Sequence, residues 1–367
     1  MRPMSMGRLV ALASAALLLA GAASAGSATA VPANADRGRA AEALNWVALG
    51  DSYSADVMVP PWDAPADSDG CGRSGFNWEA MLARDLNAEH PGWVNVTDVT
   101  CGAATIAAGV LGPQPAGMLF GPPSNGKDHG GWVTKRPQID AVNADTDIVT
   151  VGIGGNDFGF GDILNNCLAI GAEQTLPVKY CKTYYESEAG QHWLNERFQI
   201  LEVGLQTLVA DIHSRAPGAK VFLLGYPAIV PSAFGCSYGN FHQLGTVRLT
   251  NDAPYLNSLQ QQLNQKVADA ADENQAVYVD TYTSSTGHGV CATGSNRWMY
   301  GIFSNLVMPP GVDKPADPAQ YQCPAREQVP AELPKGEACT FVHPNYYGAV
   351  NQRNQAEAAF QAAGLTP

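Results

Sequence analysis

Five short apolar runs, separated by amphipathic segments of helical length, do most to restrict what this chain can fold into. They are Asn45–Leu49, Val94–Val99, Asp147–Gly152, Lys220–Gly225 and Ala276–Asp280. Four of these runs are apolar with little alternation, which suits strands covered on both faces, and Val94–Val99 reads as a strand because it is β-branched. The apolar spacing predicts helices over Trp78–Leu86, Phe198–Ser214, Tyr255–Asn274 and from Gly348 to Ala363. Strands that alternate with helices argue for an α/β fold, a parallel sheet with helices on both faces. Ligands in such sheets sit at the carboxyl ends of the strands. Ser52, Gly102 and Asn156 each follow directly after a predicted strand, so all three are expected at one edge of the sheet.

The beginning of the chain does not fit this pattern. Arg2 and Arg8 flank the start of an apolar run from Leu9 to Ala22, and small-residue cleavage patterns follow at Ala23-Ser24-Ala25 and Ala28-Thr29-Ala30. This is the layout of a secretory signal peptide, expected over residues 1–30, and the run is shorter than the roughly 20 residues of a spanning helix. Residues 31–41 read as a disordered leader and 42–367 as a single domain. Two stretches rich in Gly and Pro, 109–137 and 287–340, read as long loops, which in compact domains are often functional. The first carries Val110, Leu111, Met118, Leu119, Phe120 and Trp132, which either line a cleft for long acyl chains or anchor the loop on the core.

The net charge is -13, and residues 1–30 hold two arginines and no acid, so the exported chain would carry -15. Such a chain gains nothing from phosphate backbones, which excludes nucleic acid as a partner, and it disfavours docking on anionic membranes. Nothing calls for more than a monomer. With an export signal, the eight cysteines read as disulfides. None stands in a Cys-x-x-Cys pair, which argues against zinc. Sequence does not fix the pairing; joining sequential neighbours (Cys71–Cys101, Cys167–Cys181, Cys236–Cys291 and Cys323–Cys339) is the simplest arrangement.

Four motifs carry chemistry. Ser52, in Gly50-Asp51-Ser52-Tyr53, taken alone would be a turn serine capping a helix. A nucleophilic serine requires in addition a base and a site for the oxyanion. Gly102 after the second strand offers a backbone N–H with no side chain in the way, though an isolated glycine there is an ordinary turn residue. Asn156, in Gly154-Gly155-Asn156-Asp157, offers a side-chain amide donor, against the reading of a loop asparagine. The glycines resemble a fragment of a dinucleotide loop but lack its third glycine. His343, in Phe341-Val342-His343-Pro344-Asn345, stands just before the last helix, where it suits a general base or a capping residue.

The order of these blocks, Gly-Asp-Ser, Gly, Gly-Gly-Asn-Asp and a C-terminal His-Pro-Asn, resembles the SGNH (GDSL-like) hydrolase superfamily, in particular its secreted, disulfide-bonded actinobacterial lipases and esterases. The resemblance runs from Trp46 to about Phe360. It implies a flavodoxin-like three-layer sandwich with a five-stranded parallel sheet, and a secreted serine ester hydrolase without metal or cofactor. By the same resemblance Ser52 is the nucleophile, the Ser52 and Gly102 N–H groups and the Asn156 amide form the oxyanion hole, and His343 is the base. The family usually places an aspartate three residues before the histidine; here that residue is Thr340. Some members use a backbone carbonyl there, which implies that the Thr340 carbonyl orients His343. Glu337 is near but at the wrong spacing.

Three other readings compete. Gly235-Cys236-Ser237-Tyr238-Gly239 matches a nucleophile elbow, with Asp280 and His343 following in order, but the preceding strand ends at Gly225 and a loop intervenes. A carbohydrate acetylesterase would use the same four blocks as a lipase. A non-catalytic secreted binding protein would explain the missing acid but not the four intact blocks.

Overall fold

The computed structural model describes residues 43–61, 70–116, 133–173, 176–232, 236, 241–314 and 337–366. Strand β1 (Leu44–Gly50) leads through helix α1 (Trp78–Glu89) into β2 (Val94–Asp98). Then come β3 (Ile148–Gly152), α2 (Phe160–Ala172), α3 (Glu188–Arg215), β4 (Lys220–Leu224), α4 (Asp252–Glu273), β5 (Val277–Val279) and α5 (Tyr346–Ala362). The five strands form one sheet in the order β2-β1-β3-β4-β5. Every pairing is parallel, with Val47 opposite Val149 and Thr150 opposite Phe222. The chain passes from β1 to β2 on one side and then crosses back over β1 to β3 on the other, so the order reverses between β1 and β3. In sheets of this order that is the position of the ligand crevice.

Alternation along the strands divides the core into two faces. Trp46, Ile148, Phe222, Leu224 and Val279 point to one side, against Trp78 and Leu82 of α1 and Phe360 of α5. Trp46 lies edge-on to Phe360 at 5.2 Å, and its indole N–H donates to Thr150 Oγ1 at 2.8 Å, which satisfies the one polar atom the ring buries. Val47, Leu49, Val149, Val151, Val221 and Leu223 point to the other side, where α2, α3 and α4 pack. The result is the three-layer α/β sandwich expected from the sequence.

Element ends differ where local signals outvote periodicity. Helix α3 starts at Glu188, ten residues before the expected Phe198. Ser187 caps it by accepting the Gly190 N–H, while its first turns are mostly polar and outside the apolar stripe. Helix α2 has no counterpart among the expected helices. Disulfides join Cys71 to Cys101, Cys167 to Cys181 and Cys236 to Cys291. Cys339 is also disulfide-bonded, and Cys323, expected as its partner, lies outside the described residues. Residues 1–42, where the signal peptide and leader are expected, lie outside them too.

Candidate active site

The turn that presents Ser52 has no room for side chains at its base. A Cβ on Gly50 would stand 2.6 Å from the Ser54 side chain and 2.8 Å from the Gly152 carbonyl, so only glycine lets β1 end this close to β3. Buried Gln138 grips the same residue from both sides. Its Oε1 accepts the Gly50 N–H at 2.8 Å and its Nε2 donates to the Gly50 carbonyl at 2.9 Å. Ser52 emerges beyond this clamp, with 6% of its surface exposed.

His343 approaches from the segment before α5. Its Nε2 lies 2.9 Å from Ser52 Oγ, and its Nδ1 lies 3.0 Å from the carbonyl oxygens of both Thr340 and Phe341. Carbonyls only accept, so Nδ1 carries the hydrogen and Nε2 presents a lone pair to the serine hydroxyl. The Thr340 hydroxyl is turned away, donating to the Gly301 carbonyl at 2.8 Å, so this residue meets the imidazole through its main chain. Phe341 and Val342 adopt left-handed φ values of 39° and 57°, a region bulky residues rarely occupy. That backbone is held by the Phe341 N–H on the Ile302 carbonyl and the Val342 N–H on the Gly301 carbonyl. Burial lowers the His343 pKa from 6.5 to about 4, with the two carbonyls opposing the shift.

Asn156 opens a short helical turn, Gly155–Phe158, at the end of β3. One hydrogen of its amide goes to the Ala104 carbonyl at 2.8 Å, which leaves the other for the cleft. Asp157 fastens the same two loops together, its carboxylate accepting the Ile106 N–H at 3.0 and 3.1 Å. Burial raises the Asp157 pKa to about 6 against that bond. Asp51, beside Ser52 and 1% exposed, is raised to about 7, chiefly by burial.

Gly102 sits differently from the expectation. Its N–H donates to the Cys71 carbonyl at 2.9 Å and its carbonyl accepts from Gln114 Nε2 at 2.7 Å. The next residue, Ala103, has a left-handed φ of 63° and lines the cleft, and its N–H makes no hydrogen bond among the described residues. The Ser52 N–H likewise makes none among them. Nothing in the sequence distinguishes Ala103 from its neighbour, because the choice depends on which amide the Cys71 carbonyl takes.

The cleft beside Ser52 has a volume of about 220 Å³. Its apolar walls come from Phe160 and Leu164 of α2, Ile229, Leu263 of α4, and Phe341 and Val342. Of the loop read either as a cleft wall or as anchored on the core, Val110 is wholly buried in the core, Leu111 packs against it, and Met118, Leu119, Phe120 and Trp132 lie outside the described residues. Helix α2 was legible: Phe160, Ile163, Leu164, Cys167 and Leu168 recur at the helical period. Gln138 and Tyr226 carry no such signal, since their partners are far away in sequence. Ser237 also lies outside the described residues. Asp280 caps the turn after β5, accepting the Tyr282 and Thr283 N–H groups at 3.0 Å each. Among the described residues no cluster of three or more His, Cys, Asp or Glu could hold a metal ion, and no helix is long and apolar enough to cross a membrane.

Comparison with known proteins shows the family and the fold. The model of the GDSL-like lipase/acylhydrolase family matches residues 48–349. Lipase 2 of Streptomyces coelicolor is 33% identical over 279 residues, covering 76% of this chain and 83% of that protein. An extracellular lipase from Streptomyces rimosus superposes with a TM-score of 0.56 at 22% identity, over 86% of this chain and all of that one. A phospholipase A1 from Streptomyces albidoflavus superposes with a TM-score of 0.50 at 20% identity, over 86% of this chain and 99% of that one. At these identities the two structures speak for the fold.

Proposed function

The chain belongs to the GDSL-like lipase/acylhydrolase family and is a carboxylic ester hydrolase, and from this premise we propose that Ser52 is its nucleophile and His343 its general base. The observation that carries the reading is the 2.9 Å contact from Ser52 Oγ to an imidazole nitrogen whose opposite nitrogen is fixed on two carbonyls. As Ser52 Oγ attacks the ester carbonyl, Nε2 takes its proton. The imidazolium so formed is held by neutral carbonyls where a triad would use a carboxylate. The tetrahedral oxyanion is met by the Ser52 N–H and the free hydrogen of the Asn156 amide. The third donor belongs to the Gly102–Ala103 turn, and we assign it to the Ala103 N–H, because Cys71 occupies that of Gly102. His343 then gives its proton to the leaving alcohol, and water hydrolyses the acyl-enzyme by the reverse sequence.

The walls of the cleft favour an apolar acyl group over an acetylated sugar, since they offer carbon surface on α2, α4 and the 341–342 segment. Export fits the reading: residues 1–30 have the layout of a signal peptide, the domain from residue 42 carries disulfides, and the lipase from Streptomyces rimosus is extracellular. The test is hydrolysis of p-nitrophenyl esters from acetyl to palmitoyl by the protein and its Ser52→Ala variant. Loss of turnover in the variant, with an optimum beyond acetyl in the parent, is the expected outcome. Full turnover by Ser52→Ala would remove Ser52 from the chemistry, and an acetyl optimum would favour the deacetylase.

A further inference from the structure

The residues on either side of Ser52 are each tied, through a tyrosine hydroxyl, to one of the other catalytic loops. Tyr53 donates its hydroxyl to the Val342 carbonyl at 2.7 Å, and its ring lies 5.0 Å from the imidazole of His343. Tyr226, from the segment after β4, donates to Asp51 Oδ2 at 2.5 Å and accepts the Gly155 N–H at 2.7 Å. A tyrosine hydroxyl has one hydrogen to give, so this arrangement uses its donor on the nucleophile turn and its acceptor on the loop that carries Asn156. Asp51 closes the set by accepting the Tyr53 N–H on Oδ1 at 2.9 Å. The two rings meet edge to face at 5.2 Å.

We propose that the hydroxyls of Tyr53 and Tyr226 are positioning groups, the first holding the His343 loop and the second the Asn156 loop against the nucleophile turn. The proposal rests on Ser52 and His343 being nucleophile and base. With no carboxylate side chain at position 340, the direction of the imidazole depends on where two carbonyls point. Those carbonyls belong to Thr340 and to a residue in the left-handed region, followed by Val342 in the same region. Backbone of this kind persists only where its surroundings over-determine it. The Gly301 and Ile302 carbonyls hold its N–H groups, and Tyr53 holds the Val342 carbonyl. On the other side, Gly155 precedes Asn156 directly, so the Tyr226 hydroxyl fixes the start of the turn that aims the amide. A misplacement of about 1 Å in such groups can cost about a hundredfold in rate.

Both tyrosines are anchored independently of their hydroxyls. The Tyr53 carbonyl accepts from Gln352 Nε2 of α5 at 3.0 Å. The Tyr226 N–H and carbonyl are paired with the Asn264 side chain of α4 at 2.7 and 2.8 Å. Substitution by phenylalanine therefore removes the hydroxyl and leaves ring and backbone in place.

The test measures kcat, KM and the pH–rate profile of Tyr53→Phe, Tyr226→Phe and Ser52→Ala on p-nitrophenyl butyrate, with melting curves to correct for unfolded protein. Each Tyr→Phe variant is expected to lose about tenfold or more in kcat, with KM moving by less than about twofold. In Tyr53→Phe the acid limb also rises from about 4 towards the ordinary histidine value, because a loosened loop admits water to the imidazole. In Tyr226→Phe that limb stays where it is. Lower melting temperatures with kcat per folded molecule and the acid limb unchanged would reduce both hydroxyls to structural bonds and overturn the proposal. Activity in Ser52→Ala would overturn the underlying assignment instead.

Discussion

Acidification is the sharpest probe of His343 as the proposed base. In the folded protein His343 is 5% exposed, and burial brings its pKa from 6.5 to about 4. The difference corresponds to about 3 kcal/mol against the imidazolium, the net of lost hydration and the two carbonyl hydrogen bonds that oppose it. At pH 5 an unperturbed histidine would be neutral in only about 3% of molecules, whereas His343 would be neutral in about 90%. The rate constant kcat/KM follows the protonation of the free enzyme. It should therefore hold nearly level from pH 8 to pH 5 and fall tenfold per pH unit only below about pH 4. The assay is release of butyrate from a soluble ester, followed by pH-stat at substrate concentrations well under KM. Stability is a poorer readout, because two effects oppose. A lowered histidine pKa stabilises the fold above pH 6.5 and the effect is lost as pH falls towards 4. The raised carboxyls of Asp51 and Asp157, at about 7 and about 6, contribute below about 3.8 and lose it as pH rises through those values. Asp51 also supplies the control: a limb near pH 7 that disappears in Asp51→Asn belongs to that carboxyl. A limb near 6.5 that survives in both Asp51→Asn and Asp157→Asn would refute the burial argument for His343.

Three further outcomes follow from the same geometry. Gln138→Leu strips two hydrogen bonds from Gly50 and should destabilise the protein by about 2–3 kcal/mol in urea unfolding, with kcat falling further than the folded fraction accounts for. Breaking Cys71–Cys101, with a sequence separation of 30, should cost about 3.6 kcal/mol by loop-closure entropy, read as a lower urea midpoint in the Cys71→Ser/Cys101→Ser pair. Leu164→Trp narrows the cleft, and hydrolysis of long acyl esters should fall relative to acetyl, so an unchanged chain-length profile would place the acyl group elsewhere.

The three central strands were legible because they are buried on both faces, so apolar runs such as Ile148–Gly152 stand out from any register, whereas the half-exposed edge strands Val94–Asp98 and Val277–Val279 show only their β-branched residues. Their junctions with Ser52 and Asn156 were legible for the same reason, since a strand that ends in glycine announces where its loop begins. What escaped depends on groups far apart in the chain. Gln138 meets Gly50 across 88 residues and Tyr226 meets Asp51 across 175, and neither carries a pattern of its own. The identity of the free amide at Gly102–Ala103 turns on the Cys71 carbonyl, which no reading of the local glycine could supply. The helical period of Phe160 to Leu168 was available, and it would have placed the wall of the cleft correctly.

Orientation of the base by main-chain carbonyls has a consequence for inheritance. A carboxylate partner can be abolished by one codon change, but no substitution deletes a peptide oxygen. What selection must keep at position 340 is a residue that packs in a fully buried site and leaves the backbone path intact. Thr340 can therefore drift among small β-branched and hydroxylated residues while the imidazole keeps its tautomer. A search pattern that insists on an acid at position 340 would pass over this chain, in which the left-handed pair at 341 and 342 sets the carbonyls instead.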